Sequence, residues 1–265
     1  MFGRSYDVIV GIEVSVNKAQ ETDVLILCGG LGTRFREVRE DIPKALAPIQ
    51  GVPFIDLLLD DLIAQGFSRI ILATGHLGDQ LEHYVNQRTD AKYIISCEPI
   101  PLGTGGAIKF AEKHFRSKQI LILNGDSHII FYLPSLLEFH HNNRADMSIL
   151  LSSVTKGSDY GNVKINDENR ITVFSEKPKK RESYSELSLI NAGVYCLNCS
   201  LLSDLEPKVE YSIEKDWIPS WLQSHRIIGL RTEQSVHDIG TPERYKDSQT
   251  MFQDKISQDT INKTK

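Results

Sequence analysis

Apolar residues come in two alternating rhythms along the first half of this chain. Asp23 to Cys28 (DVLILC) is a short unbroken apolar run, the pattern of a strand covered on both faces. Ile55 to Gln65 (IDLLLDDLIAQ) spaces leucine and isoleucine for one face of a helix that stops at Gly66, and Ser68 to Thr74 (SRIILAT) returns to a strand-like run. The same exchange predicts a helix over Gly78 to Gln87, a strand over Lys92 to Cys97, a helix over Gly105 to His114 and a strand over Gln119 to Leu123. Strands separated by single helices wind in parallel, so this half reads as a doubly wound α/β sheet. A helix over Leu133 to His141 and a central strand over Met147 to Val154 continue it.

Beyond residue 155 the rhythm loosens. Short strands are predicted at Asn162 to Ile165, Ile171 to Ser175 and Leu189 to Tyr195, then a helix over Trp217 to Gln223 and a strand over Ile227 to Leu230. Lys177 to Glu186 (KPKKRESYSE) is a charged loop, suited equally to covering a ligand and to running as exposed linker. A last helix spans Thr241 to Gln253, with Thr241 as its cap ahead of Pro242. The fold class is therefore α/β: a single domain over 23–256 with a Rossmann-like, mostly parallel central sheet and a more β-rich second half. Residues 1–22 form an N-terminal extension that suggests no clear element, and 257–265 a polar tail expected to fray.

The 265 residues carry 30 Lys and Arg against 35 Asp and Glu, a formal charge of −5. This mild acidity argues against nucleic acid or an anionic membrane as partner, since both are bound through basic patches. Any anionic substrate must be held by a few placed cations. No window approaches the roughly 18 consecutive apolar residues of a membrane span, and Met1 to Val16 holds no cleavage pattern, so neither insertion nor secretion is expected. Four cysteines, at Cys28, Cys97, Cys196 and Cys199, are too few for a disulfide scaffold and suit a reducing cytoplasm. Cys196 and Cys199 form a lone C-x-x-C without matching ligands and read as two packed residues near a strand end. His140 and His141 read as solvated on a surface helix.

Candidate chemistry concentrates between Leu27 and Pro48. Gly29, Gly30 and Gly32 follow directly on a buried strand, where bare backbone amides make a nest for phosphate. A dinucleotide fingerprint would need glycine at Phe35, and the Gly-Lys-Ser/Thr of a Walker A loop is absent. Arg34 and Lys44 stand in their place: a guanidinium fork and a point charge that can share one polyphosphate.

The double motif Gly29-Gly30-Leu31-Gly32-Thr33-Arg34 and Pro43-Lys44-Ala45-Leu46-Ala47-Pro48 resembles the signature of the sugar-1-phosphate nucleotidylyltransferases. Further elements follow in the family's order from Asp23 to about Tyr245: Glu98 to Ala107 (EPIPLGTGGA), Asn124-Gly125-Asp126, Glu176-Lys177-Pro178, Asn191-Ala192-Gly193 and Asp238-Ile239-Gly240-Thr241-Pro242. Their wording is most similar to that of the D-glycero-α-D-manno-heptose 1-phosphate guanylyltransferases. Relatives acting on mannose 1-phosphate with GTP, or on glucose or N-acetylmuramate 1-phosphates with dTTP or UTP, share nearly all of them.

The resemblance implies the nucleotide-diphospho-sugar transferase fold, with a nucleotide-binding part over about 23–155 and a sugar-binding part over about 156–240. Catalytic roles fall to Arg34, Lys44, Asp126 and Lys177, with Arg34 and Lys44 on the nucleoside triphosphate and Lys177 on the sugar phosphate. Leu27, Gly29, Gly30, Gly32, Thr33, Thr104 and Gly105 surround the nucleotide, while Glu176, Asn191 and Gly125 contact the sugar. Asp126 and Asp238 ligate Mg²⁺, the implied cofactor; hard carboxylate oxygens shared with substrate phosphates are what that ion prefers. Taken singly, Asp126 and Asp238 would equally serve as a turn cap and a helix cap. GTP and a sugar 1-phosphate are the implied partners, with a homodimer as an open assembly. From another class, a nucleotide-sugar sensor that kept the fold and lost turnover would not need Arg34, Lys44, Asp126, Lys177 and Asp238 together.

Overall fold

A computed structural model describes residues 18–30, 41–154, 162–175, 188–207 and 209–251. Its parallel half is β1 (Asp23–Leu27), β4 (Arg69–Thr74), β5 (Lys92–Cys97) and β6 (Gln119–Asn124), ordered β5-β4-β1-β6. The register pairs Leu25 with Ile71 on one side and with Ile122 on the other, so every residue of β1 from Asp23 to Ile26 is buried. That double coverage is why its sequence is apolar without alternation. Helices α1 (Phe54–Ala64), α2 (Gly78–Val85) and α3 (Gly103–Ala111) are the crossovers, and α4 (Leu133–Asn142) precedes β8 (Met147–Val154).

The second half joins through one long strand. β11 (Ser188–Asn198) lies between β6 and β8 and runs antiparallel to both, and β12 (Ile227–Thr232) adds in parallel beyond β8. β9 (Asn162–Ile165) and β10 (Ile171–Ser175) form a hairpin whose β9 touches the start of β11. Two short ribbons complete the sheets, β2 (Pro48–Ile49) with β3 (Val52–Pro53) and β7 (Ser127–His128) with β13 (His237–Asp238). The central sheet is thus mostly parallel, as the sequence predicts, with β11 and the β9–β10 hairpin opposing their neighbours.

Two apolar layers sandwich the sheet, because successive side chains of a strand point to opposite faces. Val24 and Ile26 of β1 face α1 and α4 through Phe54, Leu58, Leu59, Leu62, Leu136 and Leu137. Leu25 and Ile122 face α3 and the segment from Ile213 to Trp221, with Ile108, Trp217 and Trp221. A buried ion pair anchors the base of the sheet: Arg69 Nε lies 2.7 Å from Asp23 Oδ1, while the other Asp23 oxygen accepts the backbone N–H of Ser117 at 2.9 Å.

Most predicted elements are found within a few residues, and three differences have physical causes. The helix predicted over 217–223 is a π turn (Ile213–Trp217) running into α5 (Ile218–Trp221). Pro219 has no N–H for the carbonyl four residues back, and its ring is accommodated by the widened turn before it. His140, read from sequence as solvated, is buried: Nδ1 lies 2.9 Å from Ser148 Oγ and Nε2 3.0 Å from Asn198 Oδ1. Asn198 Nδ2 donates to the Ala145 carbonyl, so the histidine donates from Nε2 and accepts at Nδ1, as a neutral ring. Burial holds it below the usual histidine range, with Asn198 pulling the other way. β11 extends to Asn198, past the predicted end at Tyr195, because Cys196 and Leu197 still pair on both sides. Cys196 is buried and Cys199 half-buried, both with free thiols, as expected for packed residues. The predicted loop 177–186 lies outside the described residues. Thr241 does cap α6 (Pro242–Met251), its Oγ1 accepting the N–H of Arg244 at 3.3 Å.

Candidate active site

Parallel strands end on the same side, so the residues following β1, β4, β5 and β6 meet at one edge of the sheet. Backbone bonds carry the pairing past the strand ends: Cys28 N–H to Ala73 O at 2.8 Å, Glu98 N–H to Thr74 O at 2.9 Å and Gly125 N–H to Leu27 O at 3.0 Å. Leu27, Gly29, Gly30, Asn124, Gly125 and Asp126 are thereby gathered as the sequence predicts. Gly125 is needed for close approach, since a Cβ there would stand 2.7 Å from both Leu27 O and Cys28 Sγ. Gly30 is exposed, and a Cβ on it would meet nothing within 4 Å among the described residues.

Lys44 and two aspartates form the charged centre. Lys44 opens a 3₁₀ turn (Lys44–Leu46) held down by buried Ala45 and Ala47, and its Nζ lies 2.6 Å from Asp126 Oδ2. Ser127 Oγ donates to Asp126 Oδ1 at 3.0 Å. Burial pulls the Asp126 carboxyl upward, but the Lys44 charge and hydrogen bond with the Ser127 hydroxyl outweigh it and hold the group below the usual carboxylate value. Burial, and after it the Asp126 charge, push the neighbouring Cys28 thiol up, which makes that cysteine a poor nucleophile.

Asp238 reaches this centre from the far end of the chain. Pairing of β13 with β7 sets Asp238 opposite Ser127, and the N–H of Ile239 donates to Asp126 O at 2.9 Å. Asp238 Oδ1 accepts from Gly240 N–H at 2.8 Å, and Arg244 reaches Oδ2 at 3.1 Å. A Cβ on Gly240 would lie 2.8 Å from Asp238 Oδ1 and 3.8 Å from Lys44 Nζ, so Gly240 sits between the Asp238 carboxylate and the lysine that pairs with Asp126. Asp238 thus closes a local turn on Gly240, while the cap of α6, which Asp238 taken singly could have supplied, is Thr241. These two carboxylates are a hard-oxygen set of the size magnesium shares with phosphates, and among the described residues no group of three or more His, Cys, Asp or Glu competes as a metal cage.

Asn191 lies in a bulge of β11. Between Asn191 and Tyr195 the register with β8 shifts, and Gly193 takes φ +72°, a conformation that favours glycine. A Cβ there would stand 2.8 Å from Asn124 Nδ2. Asn124 Oδ1 is buried with no partner among the described residues, an acceptor beside the Asp126 turn. Thr104 and Gly105 lie in the first turn of α3, where Gly105 is covered by Tyr211 and Trp217 and donates its N–H to Tyr211 O at 2.8 Å. Gly105 thus stands behind the surface of the loop and permits that packing. Gly32, Thr33, Arg34, Glu176 and Lys177 lie outside the described residues.

Three residues that the motifs did not single out belong to the same region. Glu98 fills the niche beside Gly29, where a Cβ would be 2.7 Å from its Oε1, and Oε2 accepts the N–H of Leu102 at 3.2 Å. Burial pushes its carboxyl up to about 7, the Leu102 bond opposing. Tyr195 and Glu214 hydrogen-bond to each other and join Asn191 to Thr104. Glu98 opens one of the quoted motifs and was within reach of sequence reading; Tyr195 and Glu214 acquire meaning only from β11's placement.

A glycine turn, a lysine and two carboxylates at the carboxyl edge of a wound sheet form an arrangement able to hold phosphorylated groups. The family described as Nucleotidyl transferase matches residues 23–255, and the chain belongs to it. It is similar to the D-glycero-alpha-D-manno-heptose 1-phosphate guanylyltransferase of Aneurinibacillus thermoaerophilus, 32% identical over 232 residues that cover 87% of this chain and 98% of that one. The enzyme of the same name from Campylobacter jejuni subsp. jejuni is 31% identical over 222 residues, 83% of this chain and 96% of that one. Among solved structures, HddC from Yersinia pseudotuberculosis complexed with GMP-PN superposes with a TM-score of 0.77 at 31% identity, covering 88% of this chain and 100% of that one. The fold is that of the nucleotide-diphospho-sugar transferases.

Proposed function

We propose that this protein transfers GMP from GTP to D-glycero-α-D-manno-heptose 1-phosphate, forming the GDP-sugar and releasing pyrophosphate. The cluster of Lys44, Asp126 and Asp238 beside the open glycine turn carries the chemistry. Near-complete coverage of relatives bearing that guanylyltransferase name supports the choice of sugar and base.

A phosphate monoester is already an anionic nucleophile, so little base catalysis is required. The difficulty lies in bringing two anions together in line and stabilising the charge on transfer. Lys44, held by Asp126 and close to Asp238, is placed to neutralise triphosphate oxygens, and the amides of Gly29 and Gly30 to bind them. Arg34 and Lys177 are assigned to the departing pyrophosphate and to the sugar phosphate. Mg²⁺ is proposed at Asp126 and Asp238, where it would supply electrostatic stabilisation of the phosphates. Asn191 and Asn124 offer polar groups to the sugar, the unpartnered Asn124 Oδ1 as an acceptor for a hydroxyl. No helix among the described residues is long and apolar enough to cross a membrane, and the four free cysteines fit a cytoplasmic location.

The test is pyrophosphate release with and without Mg²⁺, crossing GTP, ATP, UTP, dTTP and CTP with heptose, mannose, glucose and N-acetylmuramate 1-phosphates. Release is expected with GTP and the heptose, and Asp126→Ala should lower it by about 10²-fold or more, the scale of a preorganised charge lost from a transition state. Turnover with a different pair overturns the specificity; nucleotide binding without turnover overturns the enzyme reading in favour of a sensor.

A further inference from the structure

The proton directions around Asn191 are fixed by backbone donors, whose polarity leaves no choice. Gly193 N–H donates to Asn191 Oδ1 at 3.0 Å, so the amide nitrogen is the end that faces Tyr195, and it donates to Oη at 2.6 Å. A phenol that accepts there directs its own proton to Glu214 Oε1, 2.9 Å away. Thr104 Oγ1 receives the N–H of Ile213 at 2.9 Å and therefore gives its proton to Glu214 Oε2 at 3.0 Å. Ser212 Oγ receives the N–H of Lys215 at 3.1 Å and gives its proton to the same oxygen at 3.1 Å. Three hydroxyl protons end on one carboxylate, which sits on the π turn Ile213–Trp217, a helix form frequent at functional sites. Tyr195 itself is fully buried.

We propose that Glu214 is a positioning residue of the transfer site: through Tyr195 it orients Asn191 toward the sugar 1-phosphate, and through Thr104 it holds the first turn of α3 on the nucleotide side. This rests on the reading of Asn191 and Thr104 as substrate contacts. A neutral amide at 214 would set N–H donors against hydroxyls that now donate to it, reversing at least one arm of the chain while keeping its shape. Tyr195→Phe cuts only the sugar arm and Thr104→Val only the nucleotide arm.

KM for each substrate, kcat and melting temperature are to be measured for Tyr195→Phe, Thr104→Val, Glu214→Gln and the double variant Tyr195→Phe/Glu214→Gln, using the substrate pair that the wild type turns over fastest. Loss of one buried hydrogen bond predicts a sugar 1-phosphate KM about tenfold higher in Tyr195→Phe, with the NTP KM within about twofold of wild type. Thr104→Val should show the reverse split, and Glu214→Gln should raise both. Because the two positions share one chain, the double variant should raise the sugar KM no further than the worse single variant, within about twofold. Both KM values unmoved in Glu214→Gln, or a lower melting temperature and kcat without a KM split in every variant, overturn the proposal and leave Glu214 a structural residue. If Glu214→Gln does not fold, the opposite splits of the other two single variants decide it: their presence supports the proposal and their absence overturns it. A wild type that releases no pyrophosphate with any pair overturns the functional reading, and this inference falls with it.

Discussion

Glu98 shows how one half-buried side chain can tilt stability against pH. An unfolded glutamate releases its proton near 4.5, whereas the folded protein keeps it until about 7. Between those values the folded state binds more protons than the unfolded one, so stability falls as pH rises through the window. Glu98→Gln keeps an acceptor for the Leu102 N–H and removes the ionisation. Its melting temperature should gain on wild type between pH 5 and pH 8, and a gap that stays constant would show that Glu98 is not the source of the slope. His140 acts at the other end, because burial disfavours its imidazolium and stability is lost as pH falls below the ordinary histidine value of 6.5. Single polar residues of this kind were the least legible from sequence. His140 sits in a helix whose next residue, His141, is exposed, and nothing in the pair of letters says which one meets Ser148. Lys44 and Asp126 were legible because each sits in a spaced motif, and the structure brings them to 2.6 Å although 82 positions separate them.

Among elements, the strands of the parallel half were readable because burial on both faces leaves an unbroken apolar run. β11 was harder to place. Its sequence gives a strand, but neither its insertion between β6 and β8 nor its opposed direction follows from periodicity. The bulge within it, which sets Asn191 and Tyr195 side by side, is likewise a matter of long-range pairing. Gly193 is the residue on which that bulge depends. Gly193→Ala combines a strained positive φ with a clash against Asn124, and should destabilise the protein by about 1–3 kcal/mol. It should also raise the sugar 1-phosphate KM, because the N–H that orients Asn191 belongs to the same residue. Chemical denaturation and steady-state kinetics on the one variant check both halves; full stability with unchanged KM would mean the bulge does not set the site.

Across the whole molecule, the site is divided between distant parts of the chain: Asp126 follows β6 and Asp238 arrives on β13, near the chain's end. The motif order announced that the parts belong together, and the wound sheet explains how they meet. What remained hidden was the bridge. β6 and β8 follow one another in sequence among the strands of the central sheet, yet they never pair with each other, because β11 stands between them.

A chain emerging from the ribosome therefore completes β6 and β8 well before the strand that must separate them exists. Until residues 188–198 arrive, β6 presents a bare apolar edge, open to pairing with another chain or, in the wrong register, with β8. Assembly is consequently expected to have a late, non-local closing step, slowed by the loop that must be shut. Pulse-labelled hydrogen exchange during refolding should show amides of β1 and β4 protected first, with those of β6's outer edge, β8 and β11 gaining protection together. Simultaneous protection of all five strands would mean that insertion of β11 is no separate event. On this view Asn191 and Tyr195 are fixed in place only at the moment the sheet closes, so the part of the candidate site proposed to meet the sugar forms last.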